Sequence, residues 1–165
     1  MSMNLLMLEE YKQEAILTKK MLERVPFDNP LWKPHEKSMT IQRLSSHIAE
    51  IPVWMLRTIG KDGFDFSTLN PQERFYAKDS SELLQKFDQM YAQASEALKN
   101  ASDEELMGDW AVSRAGQVIF SMPRVMAIRK WVFNHTFHHR GQLSVYLRLN
   151  NVAVPGMYGP SADER

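Results

Sequence analysis

Apolar residues recur at steps of three and four along four long stretches of this chain, the period of helices that bury one face, and strict alternation is almost absent. The first stretch, from about Met3 to Arg24, puts Leu5, Leu8, Tyr11, Ala15, Thr18 and Leu22 on one stripe, and Pro26 closes it. A polar loop holding Pro30 and Pro34 leads to the second, which Ser38 or Thr40 can cap. Its stripe is Ile41, Leu44, Ile48, Ile51 and Met55. Pro52 sits inside that pattern, lacks an amide donor and crowds the Ile48 carbonyl, so a kink or local change of geometry is expected before Gly60 or Gly63 ends the helix.

The third stretch follows Asp79-Ser80-Ser81-Glu82, an Asp-led variant of the capping box, and carries Leu83, Leu84, Phe87, Met90, Tyr91, Ala94 and Leu98. Ser102-Asp103-Glu104-Glu105 repeats the capping signature over a single turn. Between Asp109 and Ser121 the period changes: Trp110 and Val112, then Val118 and Phe120, flank Arg114-Ala115-Gly116, which predicts a small β-hairpin. Pro123 suits a first helical turn, and the fourth pattern runs to about Asn150 before a tail punctuated by Pro155, Gly156, Gly159 and Pro160. Four long helices joined by connections of unequal length predict an all-α fold, a helix bundle in which residues 1–165 form one domain.

Composition removes several function classes. Lys and Arg number 20 and Asp and Glu number 20, so no net charge favours a nucleic acid or an acidic membrane surface. There is no cysteine, which excludes disulfides, thiolate-held zinc and a protein-borne thiol nucleophile; a bound metal must use nitrogen or oxygen ligands. The N-terminal residues lack a basic region followed by an apolar one, and no apolar run approaches the roughly 20 residues of a membrane span, so the expected address is cytoplasmic.

Three of the five histidines lie inside F-N-H-T-F-H-H-R-G-Q, residues 133–142. In the fourth stripe Ile128, Val132, His135, His139, Gln142 and Tyr146 advance by four, three, four, three and four, so two imidazoles project one turn apart from the face that should meet the bundle. His138 points elsewhere. His47 lies on or beside the stripe of the second helix, three residues after Leu44. Three neutral imidazoles from two helices would leave coordination positions open, as a catalytic metal site requires. A lone histidine on such a stripe is more often a satisfied core residue, but three buried imidazoles with neither metal nor full hydrogen bonding would each cost about 1–3 kcal/mol. The nitrogen donors suit zinc or nickel first, with iron and manganese also compatible.

Glu50, three residues after His47, and Gln142, on the His139 stripe, are the candidates to act beside such a metal, as a base or by orienting a ligand or bound anion. Arg140, rotated by about 100° from His139, suits a salt bridge or dimer contact. The tail could bring Asp163 or Glu164 over the site, and His35 is expected in solvent. H-T-F-H-H lacks the glutamate of H-E-x-x-H, there is no phosphate-binding glycine loop, and neither Ser45, Ser46 nor Ser161 has triad spacing.

His135-x-x-x-His139-Arg140-Gly141-Gln142, with S-S-H-I-A-E-I-P around His47, P-H-E-K-S-M at 34–39 and the tail V-P-G-M-Y-G-P-S-A-D-E, resembles the DinB/YfiT-like family of small metal-binding bundles over most of the chain. The resemblance implies a four-helix bundle with a long crossover connection, a divalent metal held by His47, His135 and His139, and a homodimer. It also implies the reaction class: transferases and isomerases that use a low-molecular-weight thiol. The expected function is thus a metal-dependent, thiol-dependent S-transferase acting on a small electrophile through an activated thiolate or water. A hydrolase, or a noncatalytic stress-linked module that binds metal or a small molecule, is the alternative.

Overall fold

In the computed structural model, which describes residues 2–164, the four stripes become the corners of a helical bundle. Helix α1 (Met3–Leu22) turns Leu8, Tyr11, Ala15, Thr18 and Leu22 inward as expected, but Leu5 is exposed. Asn4 is buried in that first turn instead, its amide donating to the Lys99 carbonyl at 2.8 Å. Thr40 caps α2 (Ile41–Glu50) by accepting from the Arg43 N–H at 3.1 Å. The helix breaks at Ile51–Pro52 and resumes as α3 (Val53–Thr58), with all five expected stripe residues buried. Helix α4 (Ser80–Asn100) starts from Asp79, which accepts from the Glu82 N–H, while the Glu82 carboxylate accepts from Lys78 N–H rather than from Asp79.

After the short α5 (Asp103–Met107), the hairpin forms as predicted. It sits in a three-stranded sheet: β1 (Gly63–Asp65) runs parallel to β2 (Asp109–Arg114), and β2 pairs antiparallel with β3 (Gln117–Pro123). Ala115 and Gly116 take the turn at φ 50° and 77°. Asp65 fastens that turn to β1, accepting from Ala115 N–H at 3.1 Å and Gly116 N–H at 2.7 Å. Pro123 ends the strand rather than entering the helix, and α6 (Arg124–Ile128) follows it. A stretch of π-helix, Arg129–Asn134, then joins α6 to α7 (His135–Leu149).

Helix α1 packs on α4 and α7, and α2 packs on the same two, so α1 and α2 take opposite corners and residues 23–40 make the long crossover. Leu44 and Ile48 of α2 share one buried cluster with Leu143 and Leu147 of α7. Each such side chain contributes about 1.5–3 kcal/mol on leaving water, and that pairing holds together the two helices that carry the histidines. A second cluster, around Tyr11, Trp54, Trp110 and Phe133, fills the end nearer the sheet. Among the described residues no helix is long and apolar enough to cross a membrane.

Candidate metal centre

The packing of α2 on α7 brings His47, His135 and His139 together, one donor nitrogen from each lying within 4.8 Å of the others. The Nε2 atoms of His47 and His135 are 3.1 Å apart. The three ring centroids are separated by 4.9, 4.7 and 4.6 Å. Nitrogens held at 2.0–2.1 Å around a tetrahedral ion would sit roughly 3.4 Å apart, close to the His47–His135 separation and within the 4.8 Å limit of the whole set, so the three can serve one divalent cation.

Electrostatics favours the same use. Burial, then the neighbouring His139 and His135, lowers the His47 pKa to about 3, with Arg43 and Arg74 adding to the effect. Burial and then His139 lower His135 to about 4 against the opposing bond from the Trp131 carbonyl. His139 is lowered as well, chiefly by burial. All three are therefore neutral at pH 7, the state in which imidazole offers a lone pair to a metal.

The outer nitrogens are held differently. His135 Nδ1 lies 3.3 Å from the Trp131 carbonyl, which can only accept. His139 Nδ1 lies 2.8 Å from Gln142 Oε1. Both contacts put the proton on Nδ1 and leave Nε2 free, the tautomer that a ligating imidazole needs. His47 Nδ1 instead faces the Arg43 guanidinium, a donor, at 3.3 Å.

Glu50 does not lean over the cluster. Its carboxylate accepts from Arg43 at 3.0 Å and from the Phe75 N–H at 3.1 Å, clasping the 59–79 connection to α2. Gln142 is exposed rather than on the bundle face, yet it orients His139 and also approaches His138 Nε2 at 3.0 Å. Arg140 is buried in an ion pair with Glu14 at 2.6 Å. Asp163 is bonded to Arg148 and Glu164 to the Gly156 N–H, so the tail is tied down elsewhere and adds no ligand to the cluster. His35 is exposed, as expected, and its Nδ1 accepts from the Lys37 N–H.

His47 also lines a cleft of about 490 Å³ between α2, α3 and the 64–74 segment. Its charged lining is Arg43, Glu50, Arg57, Glu73 and Arg74, and its apolar lining includes Trp54 and Phe64. The three arginines and the Trp131 carbonyl escaped sequence reading. Arg43 stands at i−4 from His47, a spacing that could have flagged it; Arg57 and Arg74 carry no local signal.

A model of the DinB family matches residues 1–165. The Bacillus subtilis (strain 168) protein YrdA is 25% identical over 158 residues, covering 95% of this chain and 89% of its own. A DinB-like protein from Bacillus cereus ATCC 10987 superposes with a TM-score of 0.69 at 24% identity, over 92% of this chain and 95% of that one. The DinB-like protein YjoA of Bacillus subtilis gives 0.68 at 16% identity, over 93% and 98%.

Proposed function

The chain belongs to the DinB family, and from that premise we propose that it is a divalent-metal-dependent enzyme whose ligands are His47, His135 and His139, its favoured reaction being transfer of a small thiol to an electrophile. The observation that carries the reading is the convergence of three neutral imidazoles beside a cleft large enough for a small molecule. A divalent ion held there, zinc or nickel first among the candidates, would act as a Lewis acid that favours the ionised form of a thiol or of water. The chain's own residues supply the rest. Gln142 and the Trp131 carbonyl fix the His139 and His135 rings, and the Arg43–Glu50 pair holds the cleft wall to α2. With no cysteine available, the nucleophilic sulfur must arrive with a cosubstrate. A homodimer belongs to the same proposal: Leu6 and Ile16 of α1 and Val145 and Leu149 of α7, two helices packed together, stay exposed, and sedimentation tests it.

Protein prepared without a histidine tag should carry close to one divalent ion per chain, and His47→Ala, His135→Ala and His139→Ala should each lose it. Full occupancy in all three variants would refute the ligand set. Turnover of electrophiles with added cellular thiols, abolished in His135→Ala, supports the transferase; turnover of hydrolysable substrates without thiol would favour hydrolysis. One observation favours a noncatalytic module: the one carboxylate of this wall close to His47 in sequence, Glu50, is committed to Arg43 and the Phe75 amide and is not free to act as a base. Metal binding with no turnover in either screen would select it.

A further inference from the structure

The cleft has a cationic element that the proposed reaction leaves unused. Arg57, half-buried on α3, lays its guanidinium 4.7 Å from the Trp54 ring centroid and 4.6 Å from that of Phe64. Those two rings meet edge to face at 5.1 Å, so the cation rests in the angle between them. Arg43, Arg124, Arg129, Arg140 and Arg148 each pair with a carboxylate; among the described residues Arg57 does not, and neither does Arg74 on the same cleft. The acid whose charge reaches Arg57 is Glu50, already engaged by Arg43 and the Phe75 amide.

A guanidinium packed on aromatic rings keeps its in-plane N–H groups as donors, and that planar fork matches the two coplanar oxygens of a carboxylate. The remaining lining is mostly apolar, Met39, Ile51, Val53, Leu69 and Pro71, with Thr68 and Asn70 as its uncharged polar members. We infer that Arg57 is the seat for the carboxylate of a small organic acid with an apolar body, bound in the cleft that His47 also lines. A phosphate dianion would draw on Arg74 as well as Arg57, whereas one carboxylate is matched by the single planar fork of Arg57, and Glu73 in the same lining offsets part of the remaining positive charge. The inference rests on the reading of this cleft as the substrate site, and it names the substrate class.

Calorimetric titration of the full-length protein, as purified and after stripping with EDTA, tests it with 3-phenylpropionate and its neutral counterpart 3-phenylpropanamide. The acid should bind about tenfold tighter than the amide in both preparations, a charge-assisted preference that shrinks at high salt. In Arg57→Gln the two affinities should come within about twofold, with the amide unchanged, since only the charged fork is removed. Equal affinities in the wild type, saturation by neither compound, or a preference that survives in Arg57→Gln overturns the inference. Tighter binding of phenyl phosphate than of phenylpropionate overturns its assignment to a carboxylate. Should Arg57→Gln fail to fold, Arg57→Lys, which keeps the charge and loses the planar fork, takes its place: it should lose most of the preference, and a preference kept in full there overturns the inference. The stripped protein separates the two readings: a preference there in a chain that never holds metal refutes only the metal enzyme, whereas one ion per chain with no preference refutes only the anion seat.

Discussion

Gln142→Leu isolates what the outer hydrogen bond does for the metal centre. The Gln142 amide approaches His138 Nε2 through Nε2 at 3.0 Å, which turns its oxygen toward His139 Nδ1 at 2.8 Å and holds that ring with its other nitrogen free. A neutral hydrogen bond of this kind nets about 0.5–1.5 kcal/mol, and 1.4 kcal/mol is tenfold in an equilibrium constant. Removing an outer partner of a metal-bound histidine typically costs about 10–100-fold in affinity. Because Gln142 is exposed, water can replace part of its role, which places the expected loss near the bottom of that range, about tenfold. Competition against a fluorescent zinc chelator measures it, and urea unfolding of the metal-free protein should shift by less than about 0.5 kcal/mol, as for other surface changes. Zinc affinity within about twofold of wild type would refute the assigned tautomer and with it the orientation of the third ligand.

Metal-free protein should lose stability as pH falls. The unfolded imidazoles titrate near about 6.5, whereas folded His47 and His135 are lowered to about 3 and 4, so between these limits the unfolded chain binds more protons. Their contribution is complete above the unfolded value and declines as pH drops through the window; a flat urea-midpoint profile between about pH 7 and 5 would contradict it. Arg140→Met should cost about 3 kcal/mol in urea unfolding, the low end for a broken buried pair because the Tyr158 hydroxyl still donates to Glu14, and adding Glu14→Leu should recover much of that. A loss under about 1 kcal/mol would show the pair to be dispensable. Arg43→Met removes a cation and a donor from beside His47, so zinc affinity should rise by about threefold or more; a fall would mean that Arg43 supports the ligand instead.

The bundle was legible because its helices carry long apolar stripes, and the metal ligands because an i, i+4 histidine pair needs no tertiary knowledge to be placed on one face. Pro52 marked a break that the backbone makes, and the residues around Gly116 marked a hairpin that forms. Strand β1 was not legible: three residues show no period, and it pairs with β2 across a long stretch of sequence. The partners of Glu50 were not legible for a similar reason. Its spacing from His47 gives the helix face but cannot reveal that the Phe75 amide and Arg43 compete for the carboxylate. Arg57 gives no sequence signal because its seat is made by Trp54 and Phe64, brought together only by the fold.

The largest departure comes from the π-helical stretch at Arg129–Asn134, and it bears on the site directly. Wider turns underwind the helix by about one residue, roughly 100°. Past the stretch a stripe counted at ideal spacing from Ile128 holds only in part: His139 and Tyr146 stay buried, Gln142 lies exposed, and Arg140, Leu143 and Leu147 turn inward beside them. The same irregularity changes what the backbone offers. The His135 N–H donates to the Val132 carbonyl rather than to Trp131, so in this turn the Trp131 carbonyl is left facing the His135 imidazole. The irregular turn thus supplies an acceptor that sets the tautomer of a ligand. With α-helical geometry throughout, the His135 amide would claim that carbonyl.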